Sequence, residues 1–183
     1  MLRFTSFLEE GVNDPSIFKA VFLAGGPGSG KSFMVGKTAL TSFGMKLINS
    51  DPAFEKQLAK AGLKATPDDI FTDKGQAARR VAKTLTAKQM ALAVDGRLGL
   101  VIDGTGKDFN KISGQAAKLK QLGYEVAMIF VNTDLETAIN RDQKRARTLG
   151  AKEVTAMWKD VQKNIGKFQN LFGNMMVIVD NSD

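Results

Sequence analysis

The sequence has no cysteine and no histidine, and among its 183 residues it has a single tryptophan and a single tyrosine. Without cysteine, disulfides, thiolate nucleophiles and cysteine-ligated zinc are excluded. Without histidine, any general base must be a carboxylate, a lysine, a tyrosine or water. No stretch approaches the roughly 20 apolar residues of a membrane span, and the first 15 residues lack the apolar core of a secretory signal. We therefore expect a cytoplasmic protein with no membrane partner.

The composition is that of an ordinary globular chain with a basic surplus. Hydrophobic residues make up 43% and charged residues 25%, and the formal net charge is +7. The length suits one domain with a sizeable core. The positive charge favours anionic partners such as nucleotides, nucleic acid or phosphosugars. Because the lysines are scattered, a generally cationic surface without a dedicated partner explains the charge equally well.

Short apolar runs alternate with helical patterns along the chain. The runs have the size of buried parallel strands and lie at Ala20–Ala24, Met45–Ile48, Leu98–Ile102, Val126–Val131 and Met175–Val179. Helical patterns cover 31–42 and 75–94, and the second places Ala78, Val81, Leu85 and Leu92 on one face. A third stripe runs from Val154 to Phe172 over about five turns, and we interpret it as core. The alternation predicts a three-layer α/β fold with a parallel sheet.

A phosphate-binding loop follows the first of these strands. The pattern G-x-x-x-x-G-K-S is met at positions 25–32, between a strand and a helix. Glycines let successive backbone N–H groups converge on phosphate oxygens, and the helix N-terminus adds partial positive charge. Lys31 is expected to reach the β and γ phosphates, and the Ser32 hydroxyl to ligate Mg²⁺. The expected nucleotide-binding residues are Gly26, Pro27, Gly28, Ser29, Gly30, Lys31, Ser32 and Phe33.

Two aspartates are expected at the same edge of the sheet as this loop. Asp103 ends the apolar run 98–102 and suits a metal ligand or an acceptor contact, although it could also cap the next loop. Asp51 follows the second run and could accept a proton from a hydroxyl during phosphoryl transfer. With Pro52 behind it, Asp51 could equally be a helix cap. The sequence Asp103-Gly104-Thr105-Gly106 also fits a GTPase motif, but the guanine-reading element of GTPases is missing.

Three arginines follow the fourth strand. Arg141 and Arg145 are four residues apart and share a helix face, and Arg147 comes next. Arginine clamps can stabilise the charge of a transferring phosphoryl group, and the glycine at 150 suits a mobile lid around 141–152. A solvated basic face is the plainer alternative. Residues 1–14 are predicted to form a short amphipathic helix that caps the domain or docks a partner.

The pattern resembles the P-loop kinases of the polynucleotide kinase and zeta toxin group over about residues 20–183. It is carried by the glycine loop, by Asn49-Ser50-Asp51, by Asp103-Gly104-Thr105-Gly106-Lys107, by the arginines and by the ending Val179-Asp180-Asn181-Ser182. The compact, basic chain resembles phage-encoded members. The sequence departs from the zeta toxin pattern by Asp in place of Glu at 103 and Lys in place of Arg at 107. Arg and Lys bind phosphate with different geometry, so the resemblance does not imply that this chain uses the zeta toxin substrate.

The resemblance implies a five-stranded parallel sheet of order 2-3-1-4-5 with helices on both faces. It implies that Asp51 is the catalytic base and that the lid arginines Arg141, Arg145 and Arg147 act with Lys31. Asp103, Thr105 and Lys107 would contact the acceptor, Ser32 and Asp103 the metal, and Asn181 the adenine region.

These features together predict a single kinase domain over 1–183, using ATP and Mg²⁺. The acceptor is a hydroxyl of a nucleic acid 5′-end, a nucleoside or nucleotide, or a sugar nucleotide. The alternatives are a nucleoside monophosphate kinase and a nucleic-acid-dependent ATPase or nucleotide-binding module. Any protein partner stays open.

Overall fold

The computed structural model describes residues 17–37, 40–144 and 148–182. The predictions for residues 1–14, for Arg145 and for Arg147 lie outside the described residues. Within these ranges, the fold is a parallel sheet flanked by helices. No helix in this part of the chain combines the length and the apolar content that crossing a membrane demands.

Five parallel strands form the sheet of the described chain, in the order β2-β3-β1-β4-β5. Their bounds are β1 Lys19–Ala24, β2 Lys46–Ile48, β3 Leu100–Asp103, β4 Glu125–Asn132 and β5 Met176–Asp180. Each strand lies within two residues of a predicted apolar run. The predicted strand order is confirmed. Because the strands are parallel, the loops that follow them meet at one edge of the sheet.

The helices are α1 Lys31–Lys37, α2 Asp51–Lys60, α3 Pro67–Ile70, α4 Asp73–Asp95, α5 Phe109–Gln121, α6 Leu135–Gln143, α7 Ala151–Gln162 and α8 Ile165–Phe172. A 3₁₀ turn at Gly173–Met175 leads into β5. The stripe from Val154 to Phe172 was predicted as one run of about five turns. The structure divides it into α7 and α8 at Lys163 and Asn164, because the buried Asn164 is used for loop contacts described below.

Alternate residues of the strands contribute to two hydrophobic cores, one on each face of the sheet. Phe22, Met128 and Phe130 lie in the core that contains residues of α5, α7 and α8. Val21 and Ile129 lie in the core on the other face, against which residues of α1 pack. This alternation is the period-2 consequence of strand geometry, and it confirms that helices cover both faces.

A third, smaller core lies beneath α2, α3 and α4, and it contains Phe54, Leu58, Ile70, Ala78 and Ala82. The sequence places Ala78, Val81, Leu85 and Leu92 on one face of α4, and of these four the structure buries Ala78 alone. Val81, Leu85 and Leu92 are exposed, whereas the small residues Gly75, Ala78, Ala82 and Ala93 are buried. Small side chains let α4 approach α2 and α3 closely, and close packing outweighs the burial of three larger side chains.

Candidate active site

The glycine loop lies between β1 and α1, and neighbouring backbone confines it tightly. Gly28 has φ +75°, and a Cβ there would lie 2.5 Å from the carbonyl oxygen of Ala138 on α6. Gly25 has φ +151°, and its Cβ would lie 2.5 Å from the carbonyl oxygen of Val131. Only glycine combines these torsions with this clearance. The loop shape thus depends on α6 and β4 as much as on its own sequence.

Lys31 lies over this loop at the start of α1. Its Nζ donates to the carbonyl oxygens of Gly25 (2.6 Å) and Gly26 (3.3 Å). These bonds hold the ammonium above the glycine loop, whose backbone N–H groups are expected to bind phosphate oxygens. The position agrees with the predicted role of Lys31 at the β and γ phosphates, and that role stays a prediction.

One amide side chain, that of Asn49, links the loops after β2 and β3. The side-chain Nδ2 of Asn49 donates to Oδ2 of Asp103 at 2.9 Å, and the Asn49 Oδ1 accepts from the backbone N–H of Asp51 at 2.8 Å. Asn49 belongs to the family-like segment Asn49-Ser50-Asp51, but the sequence did not predict a role for it in the site. Its position directly before Ser50-Asp51, at the end of a strand, is the sequence feature that could have indicated such a role.

Burial raises the pKa of the Asp103 carboxyl above its ordinary value; the ammonium of Lys31 opposes this rise and the carboxylate of Asp51 adds to it. Oδ1 of Asp103 is buried and has no hydrogen-bond partner in the described part of the chain. A buried carboxylate oxygen without a partner is costly unless a ligand supplies one.

A divalent metal fits these residues. Asp103 and Ser32 line the same cleft, and both offer the hard oxygen ligands that Mg²⁺ prefers. The unpartnered Oδ1 of Asp103 would gain a partner. Ser32 and Asp103 would hold the ion directly or through water. When bound, it would neutralise charge on the phosphate oxygens.

Thr105 and Lys107 lie in the loop after β3 and line the same cleft. The Thr105 carbonyl oxygen accepts from the N–H of Gly25 at 3.1 Å, which ties this loop to the phosphate loop. Nδ2 of the buried Asn164 donates to the carbonyl oxygens of Gly106 (3.0 Å) and Lys107 (2.9 Å). The α7–α8 junction therefore holds the segment that carries both predicted acceptor residues.

Arg141 and Asn181 lie on the other side of the phosphate loop, toward β5. The Arg141 guanidinium donates to the carbonyl oxygens of Asn181 (2.9 Å) and Gly28 (3.3 Å). The Asn181 Nδ2 donates to the carbonyl oxygen of Ser29 at 2.9 Å. Both residues thus brace the loop, and neither lines the cleft described next. Phe33 is exposed on α1 and also lies outside that lining. The predicted roles of these three residues stay predictions.

A cleft of about 520 Å³ joins these elements. One end is formed by the phosphate loop, Asp103 and Thr105, and the far wall comes from α2, α3 and α4. The sequence did not predict the residues of that wall and of the α7 side, among them Phe54, Ile70, Phe71, Arg79, Lys83, Thr148, Glu153 and Met157. They belong to no short motif, and the fold alone brings them to the cleft.

The parallel sheet, the glycine loop between β1 and α1 and the aspartate at the end of β3 define a P-loop phosphotransferase. The chain belongs to the zeta toxin family, whose sequence model matches residues 10–181. Among curated proteins, none matches the chain by sequence.

Solved structures share the fold at low identity. A chain from the PezAT chromosomal toxin–antitoxin system of Streptococcus pneumoniae is 16% identical with a TM-score of 0.65, and the match covers 98% of this chain and 75% of that one. A chain of the Pnkp1/Rnl/Hen1 RNA repair complex is 15% identical with a TM-score of 0.65, covering 86% and 48%. A shikimate kinase from Bacteroides thetaiotaomicron is 17% identical with a TM-score of 0.53, covering 88% and 86%. The chain thus spans about half the length of the RNA repair protein it matches.

Proposed function

We propose that this protein is a kinase that transfers the γ-phosphate of ATP to a hydroxyl group, with Asp51 as the base. The observation that supports this proposal most is the pair of hydrogen bonds by which Asn49 connects the backbone of Asp51 to the carboxylate of Asp103. Both aspartates line the cleft that has the phosphate loop at one end. A carboxylate at an acceptor site serves hydroxyl activation, because the hydroxyl must lose its proton as the new bond forms.

The transfer proceeds by in-line displacement. The acceptor oxygen forms a bond to the γ-phosphorus, the bond from that phosphorus to the β,γ-bridging oxygen breaks, and ADP leaves. The hydroxyl proton passes to Asp51. Lys31 and the loop N–H groups bind the phosphates and stabilise the charge that develops on their oxygens.

Asp51 and Asp103 differ in their surroundings, and this supports separate roles. Asp103 is mostly buried, accepts the Asn49 amide on one oxygen and has Lys31 as its cationic neighbour. These surroundings suit a metal ligand whose position is fixed by its neighbours. Asp51 is exposed at the N-terminus of α2, at the acceptor end of the cleft. It suits contact with the incoming hydroxyl.

A nucleoside monophosphate kinase is the alternative. It would bring a second phosphate to the point of attack, where Asp51 and Asp103 already lie. Like charges at close range repel each other. The carboxylates therefore favour a hydroxyl acceptor.

The test is an acceptor screen with γ-labelled ATP over oligonucleotides, nucleotides and sugar nucleotides. We expect transfer to a hydroxyl, giving a phosphate monoester that phosphatase removes. Asp51→Asn should lower transfer by about 10²–10⁴-fold, the usual contribution of a general base, while ATP binding is retained.

Asp68→Asn is the matched control, because Asp68 is an exposed acidic residue of α3 outside the cleft. It should leave transfer unchanged. Equal transfer by the Asp51→Asn and wild-type proteins would reject the role of Asp51. A pyrophosphate-linked product would favour the monophosphate kinase. Hydrolysis of ATP stimulated by nucleic acid, with no labelled acceptor, would favour an ATPase.

A further inference from the structure

One buried carboxylate near the cleft has no part in the transfer reaction described above. Asp142 lies near the end of α6 and is only 1% exposed. Its Oδ2 accepts from the backbone N–H groups of Leu149 (2.9 Å) and Gly150 (3.0 Å). These two residues lie directly before α7, whose first residue is Ala151. Asp142 therefore joins the end of α6 to the start of α7.

Burial of the Asp142 carboxylate costs free energy, and its hydrogen bonds offset that cost. Charged side chains are almost never fully buried unless partners satisfy them. Both bonds come from backbone N–H groups at the N-terminus of α7, where the helix dipole also favours negative charge. Oδ1 of Asp142 is buried and has no hydrogen-bond partner in the described part of the chain. An apolar side chain would fill this place at lower cost, so the contribution of the carboxylate is its pair of bonds to the start of α7.

The segment that Asp142 holds forms part of the cleft wall. Thr148 and Leu149 line the cleft, and so do Glu153 and Met157 from the first two turns of α7. None of these four residues belongs to a short motif of the sequence. Their place in the cleft depends on where α7 begins.

A second contact fixes α7 about two turns after its start. The Nε1 of Trp158 donates to the carbonyl oxygen of Thr133 at 2.8 Å. The backbone of Trp158 lies beside the phosphate loop, since a Cβ at Gly26 would lie 3.9 Å from the Trp158 Cα. The cleft-lining part of α7 is thus held at both ends, by Asp142 before it and by Trp158 after it.

Helix α6 also confines the phosphate loop. The backbone of Ala138 leaves no room for a side chain at Gly28, and Arg141 donates to the carbonyl oxygen of Gly28. Asp142 follows Arg141 directly, so its position relative to the loop is fixed. Its bonds to the start of α7 fix the wall relative to the same loop.

Resting on the proposed kinase function, we propose that Asp142 is a positioning residue of the transfer reaction. It fixes the start of α7 so that Thr148 and Leu149 keep their place in the cleft wall beside the phosphate loop. Transfer requires the acceptor oxygen and the γ-phosphate to be held in line, and a displacement of about 1 Å can lower the rate by about 10²-fold. Hydrolysis of ATP requires no aligned acceptor, so it depends less on this wall.

The experiment compares the wild-type, Asp142→Ala and Asp142→Asn proteins well below the unfolding midpoint of each. The probes are γ-labelled ATP with a 5′-hydroxyl oligonucleotide, adenosine and UDP-glucose as acceptors. We expect Asp142→Ala to lower kcat for transfer by about 10–10²-fold, to change the Kd for ATP less, and to raise the ratio of hydrolysis to transfer. Asp142→Asn keeps an oxygen that accepts from both N–H groups and should recover most of the loss. A residue that only stabilised the fold would leave kcat unchanged in the folded variants.

Asp160→Ala is the matched control. It removes a carboxylate from an exposed position of α7 outside the cleft, where Asp160 pairs with Lys163 at 3.2 Å. It should leave both kcat and the ratio of hydrolysis to transfer unchanged. Equal kcat values for Asp142→Ala and Asp160→Ala would overturn the proposal, and so would an Asp142→Asn protein no more active than Asp142→Ala.

Amide hydrogen exchange of the wild-type protein tests the positioning without the reaction, and it needs no variant that folds. The N–H groups of Leu149 and Gly150 should exchange at least about tenfold more slowly than that of Lys152, because bonds to a charged group protect them. The N–H of Lys152 lies in the first turn of α7, which has no acceptor within the helix, and Gly150 at the N-cap has no side chain to accept from it.

This measurement separates the two possible failures. If no acceptor is phosphorylated but Leu149 and Gly150 are protected, and Asp142→Ala loses that protection, the kinase proposal fails and the positioning of the α7 wall by Asp142 stands. Equal exchange at Leu149, Gly150 and Lys152 would overturn the positioning and leave the kinase proposal intact.

Discussion

The two ends of the cleft are built in different ways; we call them the donor end and the acceptor end after the groups that we propose they bind. At the donor end, backbone groups and glycines form the phosphate loop, and Ala138, Thr105, Arg141 and Asn181 contact it closely. At the acceptor end, side chains of α2, α3 and α4 form the wall, and several of them are exposed. A backbone-built site accepts few substitutions, whereas a wall of exposed side chains can change with little effect on folding. We therefore expect mutations at the donor end to cost stability and those at the acceptor end to change substrate use.

The largest expected effect is at Gly28. In Gly28→Ala, the Cβ would meet α6 backbone and the residue would keep a left-handed φ. Together these lower the free energy of unfolding by about 2–5 kcal/mol, with loss of ATP binding. Denaturant unfolding and nucleotide titration measure the two effects.

Gly36→Ala is the matched control for Gly28→Ala. Gly36 lies in α1, and a Cβ there meets no atom within 4 Å. The control should stabilise the protein by about 0.5–1 kcal/mol, as replacing a helical glycine does. Similar effects of the two substitutions would contradict the tight confinement of Gly28 by α6.

An intermediate effect is expected at Asn164, which joins the two ends. Asn164→Ala leaves the carbonyl oxygens of Gly106 and Lys107 without this donor, so we expect a loss of about 1–3 kcal/mol in unfolding free energy. The acceptor KM should rise because Lys107 is less well placed, and the KM for ATP should change less. Asn170→Ala, at an exposed position of α8, should alter neither quantity. A rise in the KM for ATP alone would contradict this assignment.

The smallest effect on stability is expected at Phe71, whose ring is 70% exposed. Phe71→Ala should change the unfolding free energy by no more than about 0.5 kcal/mol. The acceptor KM should nevertheless rise roughly tenfold if a base or sugar ring packs on this side chain. Phe43→Ala removes a comparable exposed ring outside the cleft and should leave the acceptor KM unchanged. Equal KM values for the two variants would remove Phe71 from the acceptor site.

Much of the donor end could be predicted from local sequence. The strands are buried on both faces, so they appear as continuous apolar runs, and the predicted runs fall within two residues of the observed bounds. The loop motif lies within eight successive positions, and its glycines are required by torsions that other residues rarely adopt.

The acceptor end was predicted less completely. The apolar pattern of α4 groups Ala78 with Val81, Leu85 and Leu92, but burial falls on Ala78 and other small residues, because α4 packs closely against its neighbours. Since α4 presents Arg79 and Lys83 at the cleft only in that orientation, neither residue could be selected from the sequence.

The sequence by itself determined a phosphate-binding loop and an α/β chain, and it excluded histidine as a base, because these depend on residue type and on spacing within one turn or strand. The tertiary structure decided that Asn49 links the loops of Asp51 and Asp103, that α4 forms a wall of the cleft and that Arg79 and Lys83 line it. Those relations join positions as far apart as Asn49 and Asp103, and they arise only when the parallel sheet brings its loops to one edge and α4 settles by close packing.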